Sequence, residues 1–162
     1  WVEEVKAFPV KIRDTRQTTP LHRELEKFAV RCGGGVNHRM SLSDAALIKD
    51  NHIVAAGGVT QAFEAVRKQF PTVEVEVEVD HLEQLREVVA AGADLVLLDN
   101  MSIEQCRAAV EIVAGKTRLE ASGGLTLENA KAYASTGVDY LAVGALTHSA
   151  VVLDIGLDLR MA

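Results

Sequence analysis

Residues 73–79 read Val-Glu-Val-Glu-Val-Glu-Val, and this stretch restricts the possible folds more than any other. Strict alternation is the period of a β-strand. It puts Val73, Val75, Val77 and Val79 on one face and Glu74, Glu76 and Glu78 on the other. An open sheet covered by helices on both sides would need apolar residues on both faces. A row of carboxylates instead calls for a sheet curled into a barrel, whose inner face brings cations to them. Lys11 and Arg13 flank Ile12, Lys49 follows Ile48, and Arg118 and Glu120 flank Leu119. Unpaired buried charges cost on the order of several kcal/mol each. The expectation is therefore a charged, hydrogen-bonded lumen, unlike the aliphatic layers usual in such barrels. The deeper Glu74 and Glu76 are expected to serve as salt-bridge partners.

Strand-like and helix-like patterns alternate along the rest of the chain. Strands are predicted at 10–14, 47–53, 95–98, 118–121 and 140–143. Helices are predicted over 21–31, with Leu21, Leu25, Phe28 and Ala29 on the apolar face, and from the candidate N-cap Thr60 to Phe70. Further helices carry Leu82, Leu85, Val88 and Val89, then Ile103, Cys106, Val110 and Val113, then residues 127–135, with a last short apolar segment near Ile155. Repeating β-α units of this spacing imply a parallel sheet with crossover helices. At 162 residues the whole chain, 1–162, reads as a single β/α barrel domain.

Composition excludes several alternatives. A net charge of −6 argues against nucleic-acid binding. The longest apolar runs fall far below the roughly 18 residues of a membrane span, which predicts a soluble chain. Cys32 and Cys106, far apart, form no disulfide framework and fit a reducing, cytoplasmic compartment. The opening at Trp1 rather than Met is read as the start of a piece of a longer polypeptide. Charge is uneven: residues 1–53 hold nine Lys/Arg against seven Asp/Glu, and the remaining residues hold eight against sixteen. The first third can thus present either a solvated face or a pocket for an anion.

In a parallel barrel, reacting groups collect where strands end. Three subsites emerge there. Arg16, His38, Arg39 and Lys49 form a cationic group suited to a small polycarboxylate, Arg by bidentate pairing and Lys as a point charge. The competing reading is ion pairing with the lumen glutamates. Glu78 and Asp99, one β-α unit apart, can hold Mg²⁺ alongside substrate phosphates, or stabilise a developing oxocarbenium ion. A plain salt bridge is equally compatible with them. Ser122-Gly123-Gly124 and Gly144-Ala145-Leu146-Thr147-His148-Ser149 are small-residue turns whose backbone N–H groups can approach a phosphate. Cys106 is read as packing, Cys32 as neither ligand nor nucleophile, and His22 and His81 as surface residues. His52 has no assigned role.

Several motifs together resemble one family, quinolinate phosphoribosyltransferase, the carboxylating nicotinate-nucleotide pyrophosphorylases. They are Asp14-Thr15-Arg16-Gln17-Thr18-Thr19-Pro20, Gly33-Gly34-Gly35-Val36-Asn37-His38-Arg39, Leu47-Ile48-Lys49-Asp50-Asn51-His52, Glu76-Val77-Glu78-Val79-Asp80, Leu97-Leu98-Asp99-Asn100, Glu120-Ala121-Ser122-Gly123-Gly124 and Val143-Gly144-Ala145-Leu146-Thr147-His148-Ser149. The resemblance implies a barrel of seven strands and a homodimer or higher homo-oligomer. The implied reaction transfers phosphoribose from phosphoribosyl pyrophosphate to quinolinate with Mg²⁺. Pyrophosphate and CO₂ leave, and nicotinate mononucleotide forms for NAD biosynthesis. By resemblance, Arg16, His38, Arg39 and Lys49 face the quinolinate carboxylates. Glu78 and Asp99 lie near ribose and metal and, with Lys49, are the implied catalytic residues. Ser122, Gly123, Gly124, Gly144, Ala145 and His148 hold the 5-phosphate. The chain departs from the family pattern at Gln17, where Lys is usual, and at Ser41-Leu42, where Gly-Leu is usual. It also lacks the family's N-terminal α/β domain, which covers the partner subunit's site; without it the fragment is expected to be poorly active. The alternatives are a molybdenum-transport-associated paralogue, disfavoured by His38, Arg39 and Lys49, and a non-catalytic relative binding phosphoribosyl ligands.

Overall fold

Strands and helices alternate as the hydrophobic spacing predicts, and every strand pairing is parallel. The computed structural model describes residues 1–160. The elements run α1 (Val2–Val5), β1 (Lys11–Arg13), α2 (Arg23–Cys32), β2 (Ala46–Ile48), α3 (Asp50–Ala56), α4 (Val59–Gln69) and β3 (Val75–Val79). They continue with α5 (Leu82–Ala90), β4 (Leu95–Asp99), α6 (Ile103–Val113), β5 (Arg118–Ser122), α7 (Leu127–Ala134), β6 (Tyr140–Ala142) and α8 (Ala145–His148).

The strands form one 6-stranded sheet in the order β1-β6-β5-β4-β3-β2. A seventh contributor is rudimentary: Val36 makes a single parallel bridge to Arg13 beside β1. Among the described residues no ladder joins this segment to β2, so the ring is hydrogen-bonded on all sides but one. The sheet is nevertheless strongly curled. A flat sheet would hold β1 and β3 four strand spacings apart, about 19 Å. Instead Arg13 Nη1 on β1 lies 3.9 Å from Glu76 Oε1 on β3.

Alternation assigns the two faces. Val75, Val77 and Val79 point outward with Val96, Leu98, Leu119, Ala121 and Leu141, and are buried beneath the helices with Phe63, Leu85, Val88, Cys106, Ala109 and Ala130. Glu74, Glu76, Glu78, Leu95, Leu97 and Glu120 face the concave side. Ser102 and Thr126 begin α6 and α7 in capping boxes, with Gln105 and Asn129 as reciprocal partners, each cap contributing about 1 kcal/mol.

Three local expectations are corrected. The predicted apolar face of α2 is exposed: Leu21, Leu25 and Phe28 face solvent, while Lys27 and Val30 are buried. The predicted strand over 47–53 ends at Ile48, because Lys49 turns the chain into α3, which stops at the left-handed Gly57. The segment near Ile155 forms no element, and residues 150–160 are exposed. Among the described residues, no helix is long and apolar enough to cross a membrane.

Candidate active site

Members of all three sequence-defined subsites line one cavity of about 680 Å³ at the C-terminal ends of the strands, whereas Leu146, Thr147 and Ser149 of the last turn lie outside it. Arg16, His38, Arg39 and Lys49 lie on the side of β1 and β2. Glu78 is the penultimate residue of β3 and Asp99 ends β4. Ser122, Gly123, Gly124, Gly144, Ala145 and His148 come from the turns after β5 and β6.

The cationic side has an electrostatic deficit. Arg39 is held by a hydrogen bond from Nη1 to the Ala45 carbonyl at 2.9 Å. Burial, and then the neighbouring Arg16 charge, push the Arg39 guanidinium below its usual pKa. The buried Arg16 Nε–H has no partner among the described residues. Two crowded guanidiniums with a spare donor favour an anion between them. Lys49 does not share this freedom, since its ammonium pairs with Glu78.

His38 is tied down on all sides. Its Nδ1 accepts the Arg39 backbone N–H at 2.7 Å, which assigns the proton of the neutral ring to Nε2, 2.9 Å from Glu76 Oε2. Its backbone is anchored by a buried network that sequence reasoning missed. Asp14 accepts from the His38 N–H at 2.8 Å and from Lys27 and Asn37, and Lys27 also donates to the His38 carbonyl at 2.9 Å. Lys27 has no exposed surface, and burial lowers its pKa. The signal was present as a lysine one residue before Phe28, but a helix face read by hydrophobicity alone assigns it outward.

Below the cavity lies the predicted charged lumen. Arg13 Nη1 donates to Glu120 Oε2 at 2.7 Å; Glu74, expected to be deep, is instead exposed and pairs with the exposed Arg118 at 3.0 Å. Lys11, expected to join them, is exposed. Among the described residues, Oε1 of Glu76 and Oε1 of Glu120 are buried without hydrogen-bond partners.

The acidic pair and the turns interlock through Asn100, another residue that went unassigned from sequence. Its backbone is left-handed. Its Nδ2 donates to Asp99 Oδ2 at 2.9 Å, and its N–H donates to the Ser122 carbonyl at 2.9 Å. Its Oδ1 closes on Gly123, where a Cβ would sit 2.2 Å away and where φ is +90°; only glycine meets both conditions. A Cβ on Gly144 would lie 2.8 Å from Gln17 Oε1 and 2.9 Å from His148 Nε2. Because Thr126 already caps α7, a phosphate here would draw on the turn's own N–H groups rather than on that helix end.

Cys106 is buried, and burial raises its thiol to about 11, consistent with packing; Cys32 is a free, exposed thiol. His22 and His81 are exposed, the latter as the N-cap of α5. His52 accepts the Lys49 N–H through Nδ1 at 2.9 Å.

A curled parallel sheet whose strand ends gather crowded cations, two carboxylates and two small-residue turns defines a β/α-barrel site built for anionic substrates. Comparison with known proteins places the chain in a family. The family described as quinolinate phosphoribosyl transferase, C-terminal domain, matches residues 1–158, and the chain belongs to it. The nicotinate-nucleotide pyrophosphorylase [carboxylating] of Mycobacterium leprae (strain TN) is 58% identical over 162 residues, covering 98% of this chain and 57% of that protein. The probable enzyme of the same name from Bacillus subtilis (strain 168) is 47% identical over 153 residues, covering 94% of the chain and 53% of its own length. The chain thus spans little more than half the length of these relatives. NadC from Streptococcus pyogenes has a TM-score of 0.90 at 47% identity, covering 94% of this chain and 54% of that one. Thiamine phosphate pyrophosphorylase from Pyrococcus furiosus, at 18% identity and TM-score 0.58, shares the fold.

Proposed function

We propose that this chain supplies the catalytic barrel for transfer of phosphoribose from phosphoribosyl pyrophosphate to quinolinate with loss of CO₂, giving nicotinate mononucleotide for NAD biosynthesis. The observation that carries the reading is that all three subsites line one cavity. Arg16 and Arg39 take the two quinolinate carboxylates, with Lys49 and the fixed His38 beside them. Ser122–Gly124, Gly144, Ala145 and His148 receive the 5-phosphate. The ring nitrogen then lies toward the ribose, and Glu78 and Asp99 stabilise positive charge as the anomeric C–O bond breaks. Once alkylated, the nitrogen is cationic and withdraws the electron pair left by the departing carboxylate.

Glu78 and Asp99 suit Mg²⁺. Both lie near the ends of adjacent strands on the concave face and are hard oxygen donors, and the Asn100 bond engages only Oδ2 of Asp99. When bound, the ion would neutralise the charge of the leaving pyrophosphate. The remaining length of the relatives would complete the enzyme as a homodimer in the cytoplasm, a compartment that suits the free thiols of Cys32 and Cys106.

The test measures quinolinate-dependent release of ¹⁴CO₂ by the enzyme at its natural length, with phosphoribosyl pyrophosphate and Mg²⁺. Turnover dependent on all three supports the reading. If turnover is absent and Gln17→Lys does not restore it, the reading is lost to a non-catalytic ligand-binding role.

A further inference from the structure

Two carboxylates, Glu76 on β3 and Glu120 on β5, converge on one histidine beneath the cavity. Glu76 Oε2 lies 2.9 Å from His38 Nε2 and Glu120 Oε1 lies 3.6 Å from it. Among the described residues, the only guanidinium in contact with either is Arg13, at 2.7 Å from Glu120 and 3.9 Å from Glu76. Both glutamates are almost wholly buried, and each keeps an Oε1 without a partner among the described residues. Glu120 differs from Glu76 in one respect: it lines the main cavity, whereas Glu76 lines a second cavity of about 350 Å³ on the far side of His38 and Arg39.

We propose that Glu120 is the proton donor that completes the decarboxylation, an assignment that rests on the reaction proposed above. When the C2–carboxylate bond breaks, CO₂ departs and its bonding electron pair stays on C2 of the pyridinium ring. A proton must reach C2 before the carbanion recaptures CO₂. The O–H bond of protonated Glu120 breaks, a C2–H bond forms, and Glu120 is left as a carboxylate paired with Arg13. Water in the second cavity reaches the network from the opposite side and returns the proton.

The surroundings hold this acid in its protonated form. Burial, then the charge of Glu76, raise its pKa to about 8 against the pull of Arg13, with Asp14 adding to the rise. The groups facing it are Arg13 and Asp14 from the β1 segment, Glu76 from β3 and His38; Tyr140 on β6 stacks against Arg13, with the guanidinium carbon 4.9 Å from the ring centroid. A carboxylic acid kept neutral near pH 7 by an apolar or like-charged setting is a recognised general acid.

The experiment compares pyrophosphate release with CO₂ release in the enzyme at its natural length. The unsubstituted enzyme is expected to release them in equal amounts. Glu120→Gln, isosteric but unable to ionise, should keep quinolinate-dependent pyrophosphate release while CO₂ release falls tenfold or more and a dicarboxylated nucleotide accumulates. Equal loss of both products would overturn the assignment in favour of a structural prop, and so would retention of both. Absence of pyrophosphate release from the unsubstituted enzyme would instead overturn the parent reading, and this assignment with it. Should Glu120→Gln fail to fold, the unsubstituted enzyme still decides. Its ratio of CO₂ to pyrophosphate should drop as pH rises past about 8, and a constant ratio refutes the role.

Discussion

Lys27 shows how much of the site depends on residues that never touch a ligand. Its ammonium, sealed from solvent, bonds Asp14 and the His38 carbonyl, and so sets the level at which His38 and Arg39 stand over the lumen. Removing one partner of a buried ion pair strands the other, at a cost of about 3–5 kcal/mol. Lys27→Ala should therefore lower the thermal midpoint by many degrees, measured by calorimetry, whereas an exposed lysine such as Lys68 would change it little. Arg39 makes a different prediction. Loss of a charge-assisted bond to a carboxylate costs about 1.5–3 kcal/mol, so Arg39→Ala should raise KM for quinolinate roughly ten- to hundredfold and leave KM for phosphoribosyl pyrophosphate nearly unchanged. Equal rises would make Arg39 a structural residue. At this scale the sequence was most informative about groups ending strands, since alternation told which way each pointed. Asn100 stayed unassigned because its part depends on a left-handed backbone and on a glycine from the neighbouring turn, neither visible in a periodic pattern.

Among the elements, β3, β5 and the helices α5 to α7 appear where periodicity placed them, whereas α2 is rotated. Its sequence carries apolar residues on more than one face, and hydrophobicity alone selects the Leu21–Leu25–Phe28 side. The protein instead buries Lys27 and Val30, because Asp14 and the His38 carbonyl offer the lysine a full set of partners. Leu25→Ser on the exposed face should therefore shift stability by no more than about 0.5 kcal/mol in urea unfolding; a loss of 2 kcal/mol or more, expected of a core leucine, would return it to the core. The β2–α3 boundary was misread for a related reason. Leu47 and Ile48 continue the strand pattern, and only the turn at Lys49, with its N–H bonded to His52, marks the change.

For the molecule as a whole, parallel α/β architecture followed from the repeating β-α units and a charged interior from one alternating heptapeptide, while the seventh strand shrank to the Val36 bridge. Glycines at 33–35 give that segment little side chain to pack, and Gly35 sits where a Cβ would strike Val30 at 2.8 Å. The interior charge has a thermodynamic signature. Glu120 is raised to about 8 in the folded protein against about 4.3 in an unfolded chain. The folded state holds the proton more tightly, so its contribution to stability is complete below the unfolded value and is lost as pH rises toward 8. Unfolding free energies at pH 6 and pH 8.5 should show the lower value at pH 8.5, and Glu120→Gln should narrow the difference; an unchanged difference would place the titration elsewhere. Arg13, His38, Glu76 and Glu120 also plug the bore at mid-height. The upper cavity therefore has a floor, making it a cup, not a pipe: a molecule seated on that floor is overlain by whatever else occupies the cavity.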